Sequence, residues 1–236
     1  MRPFDWLRRS PAVAPDAELT RACEQLPKPG PWSELPLREQ RFVVLDLETS
    51  GLNMQRDQLL SIGAVVIEDG AIDLAQQFEC TLQRSAQKVS ASVLIHGIAP
   101  SELAAGVAPA EALLAFMQFV GASPILAFHA PFDQHMLGKA LKDDLGYKLE
   151  HRFLDVADLA PLLCPEVTLR QAGLDDWTAH FGLQVQQRHH ASADALVTAE
   201  LALILFSRAR KQGLETPAAL ADALSRWQRR QQRPSL

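Results

Sequence analysis

Phe42-Val43-Val44-Leu45 is a short, apolar, β-branched run of the kind that fills a central strand, and it ends in Asp46-Leu47-Glu48-Thr49-Ser50-Gly51. Side chains two apart on a strand share a face, so Asp46 and Glu48 project together. Two like charges at the end of a buried run are costly to hold without a cation, and a hard divalent ion with oxygen ligands removes that cost. Asp-X-Glu alone is equally compatible with an exposed strand end, so the remainder of the chain has to decide.

The pattern around that strand predicts an α/β fold with a mixed central sheet flanked by helices. Leu59 to Glu68 reads as a second strand, broken by Gly63, and Asp69-Gly70 as the hairpin turn into a third strand, Ala71 to Leu82. Helices are expected near Pro109 to Val120, Phe132 to Leu145, Ala157 to Leu163, Leu169 to Phe181, Ala191 to Gln212 and Pro217 to Arg229, with strands at Pro124 to Phe128 and Phe153 to Val156. Residues 1–40 are expected to be an extension: a short helix from Asp16 to Leu26, then a Pro-rich linker whose Trp32 and Leu35 pack on the main domain. The main domain is expected to span 41–212, with a basic helix and tail at 213–236.

Further acids stand at two later points. Pro131-Phe132-Asp133 follows the apolar run Ile125-Leu126-Ala127-Phe128 and opens a helix; an acid there is also a common helix-terminus carboxylate. Asp194 lies early in another helix, behind His189 and His190, and a lone loop histidine is ordinarily a surface residue. Together, four acids and a histidine in this order supply the parts for two-metal hydrolysis. A loop histidine, with an ordinary pKa near neutrality, can take the proton from the attacking water.

The charge distribution agrees. The 236 residues carry a formal net charge of −5, which excludes a uniformly basic coat. Yet Arg208, Arg210, Lys211, Arg226, Arg229, Arg230 and Arg233 face only Glu215 and Asp222 in the final segment. An acidic body with a basic end suits a carboxylate metal site beside a patch for polyanions; an ordinary solvated helix face fits equally. Cys23, Cys80 and Cys164 match no zinc or disulfide spacing and are read as reduced thiols of a cytoplasmic protein. No apolar run is long enough for a signal peptide or a membrane span, so no membrane partner is expected.

The ordered set Asp46-Leu47-Glu48-Thr49-Ser50-Gly51-Leu52, His96-Gly97-Ile98, Phe132-Asp133 and His189-His190-Ala191-Ser192-Ala193-Asp194-Ala195 resembles the DEDDh, or DnaQ-like, 3′-5′ exonucleases, which have an RNase H-like fold. The resemblance covers about residues 41–207. It extends to the epsilon proofreading subunit of bacterial DNA polymerase III. It implies two divalent ions, Mg²⁺ or Mn²⁺, held by Asp46, Glu48, Asp133 and Asp194, with His189 as general base. It also implies that Thr49, Gly51, Leu52, His96, Ile98 and Phe132 grip the terminal nucleotide. The implied substrate is the 3′ end of single-stranded DNA, and the implied products are nucleoside 5′-monophosphates. Against the family pattern, His129 stands where an Asn is usual, and Pro131 stiffens the approach to Asp133. A free enzyme, a polymerase-associated proofreader, an RNA-trimming relative and a silent binding module all share the fold, and the chain leaves the oligomeric state open.

Overall fold

The computed structural model describes residues 17–84, 97–169, 172–184 and 189–232. Strands β1 (Phe42–Thr49), β2 (Leu59–Glu68), β3 (Ala71–Thr81), β4 (Ile125–Ala127) and β5 (Phe153–Asp155) form one sheet in the order β3-β2-β1-β4-β5. The β1–β2 and β2–β3 pairs are antiparallel; β4 and β5 continue the sheet in parallel with β1. The β2–β3 hairpin closes through Asp69 and Gly70, whose φ angles of 52° and 74° are both positive, as a two-residue type I′ turn requires.

Among the described residues the helices are α1 (Ala17–Glu24), α2 (Pro100–Ala104), α3 (Pro109–Val120), α4 (Ala130–Leu145), α5 (Val156–Leu163), α6 (Leu174–Phe181), α7 (Ala191–Lys211) and α8 (Pro217–Gln231). They cover both faces of the sheet and divide its apolar side chains into two clusters. Phe42 and Val44 join Leu159, Leu201, Leu205 and Leu220 on the α5, α7 and α8 side. Val43, Leu45 and Leu47 join Leu113, Phe116, Leu137 and Leu141 on the α3 and α4 side. Each fully buried side chain of this size contributes roughly 1.5–3 kcal/mol. Continued alternation along β1 turns Asp46 and Glu48 toward the α7 side, where the apolar stripe of Phe42 and Val44 gives way to carboxylates.

Three expectations need correction. β2 is unbroken at Gly63, because the glycine is needed for what packs above it rather than to end the strand. The helix expected from Leu169 starts at Leu174, with Gly173 as its cap. Here the apolar spacing ran past the real start, and residues 170–171 lie outside the described set. Leu35 is 55% exposed rather than packed, whereas Trp32 does pack, with Arg152 over its ring.

The described part of the N-terminal stretch is fastened to the body. Leu26 and Leu37 are buried in the two clusters. The Leu37 N–H donates to the Glu215 carbonyl (2.7 Å), and the Ala218 N–H donates to the Ser33 carbonyl (3.1 Å), so the linker and the start of α8 hold each other. Helix α8 packs through Leu220, Leu224 and Trp227. On its outer side Arg226 pairs with Asp222, and Arg229 and Arg230 are exposed. Cys23, Cys80 and Cys164 are free thiols. Among the described residues no helix is long and apolar enough to cross a membrane.

Candidate active site

Asp46 and Glu48 on β1 and Asp194 on α7 each offer a carboxylate oxygen, and these oxygens lie within 4.8 Å of one another. The convergence depends on how closely α7 approaches the sheet. Gly63 pairs with Asp46 across β1 and β2, and a Cβ on it would stand 2.1 Å from both the Ala191 carbonyl carbon and the Ser192 nitrogen. Only a residue without a side chain lets the first turn of α7 settle there, and that turn carries Asp194. Asp194 is buried, and its Oδ2 accepts the His189 N–H at 3.0 Å.

Asp133 enters from α4. Burial pushes its carboxyl well above the usual carboxylate range, and the nearby Asp155 and Glu48 carboxylates add to this; the Asp133 and Leu47 N–H groups, which bond it, partly oppose. A hydrogen bond from β1 and a charge interaction with Glu48 thus link Asp133 to the strand that bears the first two acids. His129, which stands where the resemblance leads one to expect Asn, has φ 64°, in the left-handed region. Asn and His both enter that region more readily than most residues, so the substitution keeps the local conformation. Asp155 fixes the turn: its Oδ1 accepts the His129 N–H and the Ala157 N–H, both at 3.0 Å. One carboxylate therefore caps α5 and holds the entry to α4.

The two histidines are separated by their surroundings. His189 is exposed, with φ 60°. His190 is half-buried and turned to the edge of the sheet, where its Nδ1 lies 3.0 Å from Ser192 Oγ and its Nε2 3.6 Å from Glu79 Oε1. Ser192 Oγ also donates to Glu79 Oε2 at 2.8 Å. His190 thereby helps tether the start of α7 to β3, and His189 is the one left facing solvent.

Of the residues expected to grip a terminal nucleotide, Thr49 is buried, and its hydroxyl donates to the Gly51 carbonyl at 2.8 Å. Gly51 lies against Asp57, whose carboxylate would meet a Cβ there at 2.6 Å. Leu52 is 85% exposed. Phe132 is half-buried against the α3–α4 cluster, and Ile98 is half-buried just before α2. His96 lies outside the described residues. Asp57, Gly63, Glu79 and Asp155 were missed as site-shaping residues. Gly63 and Asp155 had a signal, a glycine inside an apolar strand and an acid at a strand-to-helix junction. Asp57 is engaged within its own loop by Ser50 and Asn53, and Glu79 had no signal, since its partners are fixed only by the fold.

This site and fold define a known class: the chain belongs to the exonuclease family, whose model matches residues 43–202. Two similar curated proteins carry DNA polymerase III in their names. The PolC-type DNA polymerase III of Thermotoga petrophila is 34% identical over 173 residues, 73% of this chain and 12% of that protein. A DNA polymerase III subunit epsilon-like protein of Rhodobacter capsulatus is 30% identical over 192 residues, 80% of this chain and 27% of that protein. The chain therefore spans only a minor part of these relatives' length. In fold, it is similar to E. coli exonuclease I in complex with a dA16 oligonucleotide, with a TM-score of 0.62 over 73% of this chain and 42% of that one at 19% identity. It is likewise similar to exonuclease X in complex with 5′ overhanging duplex DNA, with a TM-score of 0.60 over 78% of this chain and 99% of that one at 20% identity. The mixed sheet flanked by helices is the RNase H-like fold of these neighbours.

Proposed function

We propose that the chain is a 3′-5′ exonuclease that removes nucleoside 5′-monophosphates from the 3′ end of single-stranded DNA. The observation that carries this is the convergence of Asp46, Glu48 and Asp194 within 4.8 Å, in a chain of the exonuclease family. A donor set made only of carboxylate oxygens fits hard divalent cations, Mg²⁺ or Mn²⁺, whose charge offsets the repulsion among the acids. Asp133, linked to β1 through the Leu47 N–H, is the fourth acid of the proposed set and would help hold a second ion. Bound ions would supply the positive charge that makes water acidic enough to attack and steadies the leaving oxygen.

The chain's own residues do the rest. His189, exposed at the mouth of the site, accepts a proton from the attacking water. The water oxygen bonds to the terminal phosphorus, the bond from phosphorus to the 3′ oxygen of the preceding nucleotide breaks, and that oxygen takes a proton from solvent. Thr49, Gly51, Leu52, His96, Ile98 and Phe132 form the proposed cradle for the last nucleotide, with exposed Leu52 against its base. Residues 41–212 are the proposed catalytic unit, with 1–40 and 213–236 as appendages; a polymerase is a protein partner consistent with the relatives' names. The test is digestion of matched DNA and RNA strands of one sequence with Mg²⁺ or Mn²⁺. DNA degraded the faster supports the proposal. RNA degraded much the faster moves it to an exoribonuclease, and no cleavage of either contradicts it.

A further inference from the structure

Away from the carboxylates, a groove of ≈790 Å³ lies between the outer face of α4 and the turn that follows it. His135, Lys139 and Lys142 line it from the helix, and Tyr147, Lys148 and Leu149 from the turn. It begins at Gln134, the residue after Asp133, and Lys142 stands about 12 Å further along the helix axis at 1.5 Å per residue. The groove thus leads away from the carboxylates along the element that delivers one of them.

Its chemistry differs from the body around it. In a chain of net charge −5, the groove has three lysines and a single acid, Asp143. Lys139 lies 3.4 Å from Asp143, and Lys148 lies 3.0 Å from Glu150, with that pair's side chains 85% and 52% exposed. An exposed pair such as Lys148–Glu150 contributes little, so a phosphate can take the place of Glu150 at small cost. Tyr147, the only tyrosine of the chain, and Leu149 are half-buried in the opposite wall and give an apolar surface beside the cations. Cations alternating with an aromatic ring suit a single strand, whose phosphates need charge and whose bases need a face to stack on.

We propose that this groove binds the single nucleic-acid strand on the 5′ side of the scissile phosphate, with Lys142 and Lys148 neutralising phosphates and Tyr147 supporting a base. This rests on the nuclease reading above, which supplies the direction of the strand. The test is fluorescence anisotropy on the full chain in excess chelator, where no strand is cut. It compares wild type with the Lys142→Glu/Lys148→Glu double variant on a long labelled oligothymidylate and on a trinucleotide. The long strand should bind the variant about 10-fold more weakly at low salt. The slope of log affinity against log salt should fall by about 1.4, the value for two lost phosphate contacts on a single strand. The trinucleotide should bind both proteins alike. Equal effects on long and short strands, an unchanged salt slope, or no length dependence in wild type would overturn the assignment. So would a variant that loses an acidic peptide but keeps the strand, which would give the groove to a protein ligand. A wild type that binds long strands through the groove yet never cuts them with Mg²⁺ contradicts the nuclease reading alone.

Discussion

Gly63 of β2 lies directly beneath Ala191, the first residue of α7, so that a Cβ on the glycine would stand 2.1 Å from the Ala191 carbonyl carbon. The pair sets the distance between the sheet and the helix, and so between Asp46, Gly63's neighbour across the strands, and Asp194, one turn into the helix. Backbone on backbone cannot be relieved by a rotamer change.

Gly63→Ala should therefore destabilise the protein by about 3 kcal/mol, the upper end of ordinary overpacking. Gly138→Ala, where the new Cβ meets Leu149 Cδ2 at 3.8 Å, is the control and should be neutral or stabilising by up to about 1 kcal/mol from helix propensity. Denaturant melts of the two variants check this. Equal stabilities would mean that α7 does not depend on the glycine.

His189→Ala should lower turnover by roughly 10²-fold or more, as loss of a general base typically does. His190→Ala should cost far less, since its ring is engaged with Ser192 and Glu79. Single-turnover rates on a short single strand separate the two, and a dead His190→Ala would reverse the assignment.

Glu79 of β3 holds both Ser192 and His190 at the start of α7. Glu79→Ala should reduce kcat several-fold with little change in KM, and Glu79→Gln should recover most of the loss by keeping one acceptor for the serine. If KM changes and kcat does not, Glu79 acts on substrate rather than on the start of α7.

Much of this was legible beforehand. The apolar run of β1, the Asp69-Gly70 turn and the helix periods of α3, α4, α7 and α8 are local patterns, and local patterns are what a sequence displays directly. Strand alternation alone put Asp46 and Glu48 on one face, whereas the approach of Asp194 to them depends on the packing of α7 over Gly63. The readings that failed depended on contacts across the chain. Gly63 looked like a break because its partner, Ala191, is far away in sequence. Glu79 drew no attention because the Ser192 hydroxyl that engages it is far away in sequence.

His151 gives a pH test remote from the acids. Its Nε2 donates to the Gly121 carbonyl at 2.7 Å, and its buried Nδ1 has no hydrogen-bond partner. Burial lowers its pKa below the ordinary value of about 6.5, and the Gly121 bond and Glu150 only partly oppose this. The unfolded chain thus takes up a proton at a higher pH than the folded one. The stability from neutral His151 is complete above about pH 6.5 and is lost as pH falls below it. His151→Gln, which keeps a donor for Gly121, should show a smaller drop in Tm between about pH 7 and pH 5 than wild type. Parallel Tm curves would mean that His151 titrates normally in the fold.

The direct test of the central claim, that the acids around Asp46 cut nucleic acid from the 3′ end with divalent ions, is time-resolved product analysis of one single DNA strand. The strand carries a label at its 3′ end in one sample and at its 5′ end in another, and metal-stripped protein is supplied with Mg²⁺ or with excess chelator. The account predicts immediate release of the 3′ label as a nucleoside 5′-monophosphate with Mg²⁺ and progressive shortening of the 5′-labelled strand. It predicts neither reaction in chelator, and a rate lower by orders of magnitude for Asp46→Ala at an unchanged circular dichroism spectrum. Full release in chelator, first release of the 5′ label, or an Asp46→Ala variant as fast as wild type would contradict it.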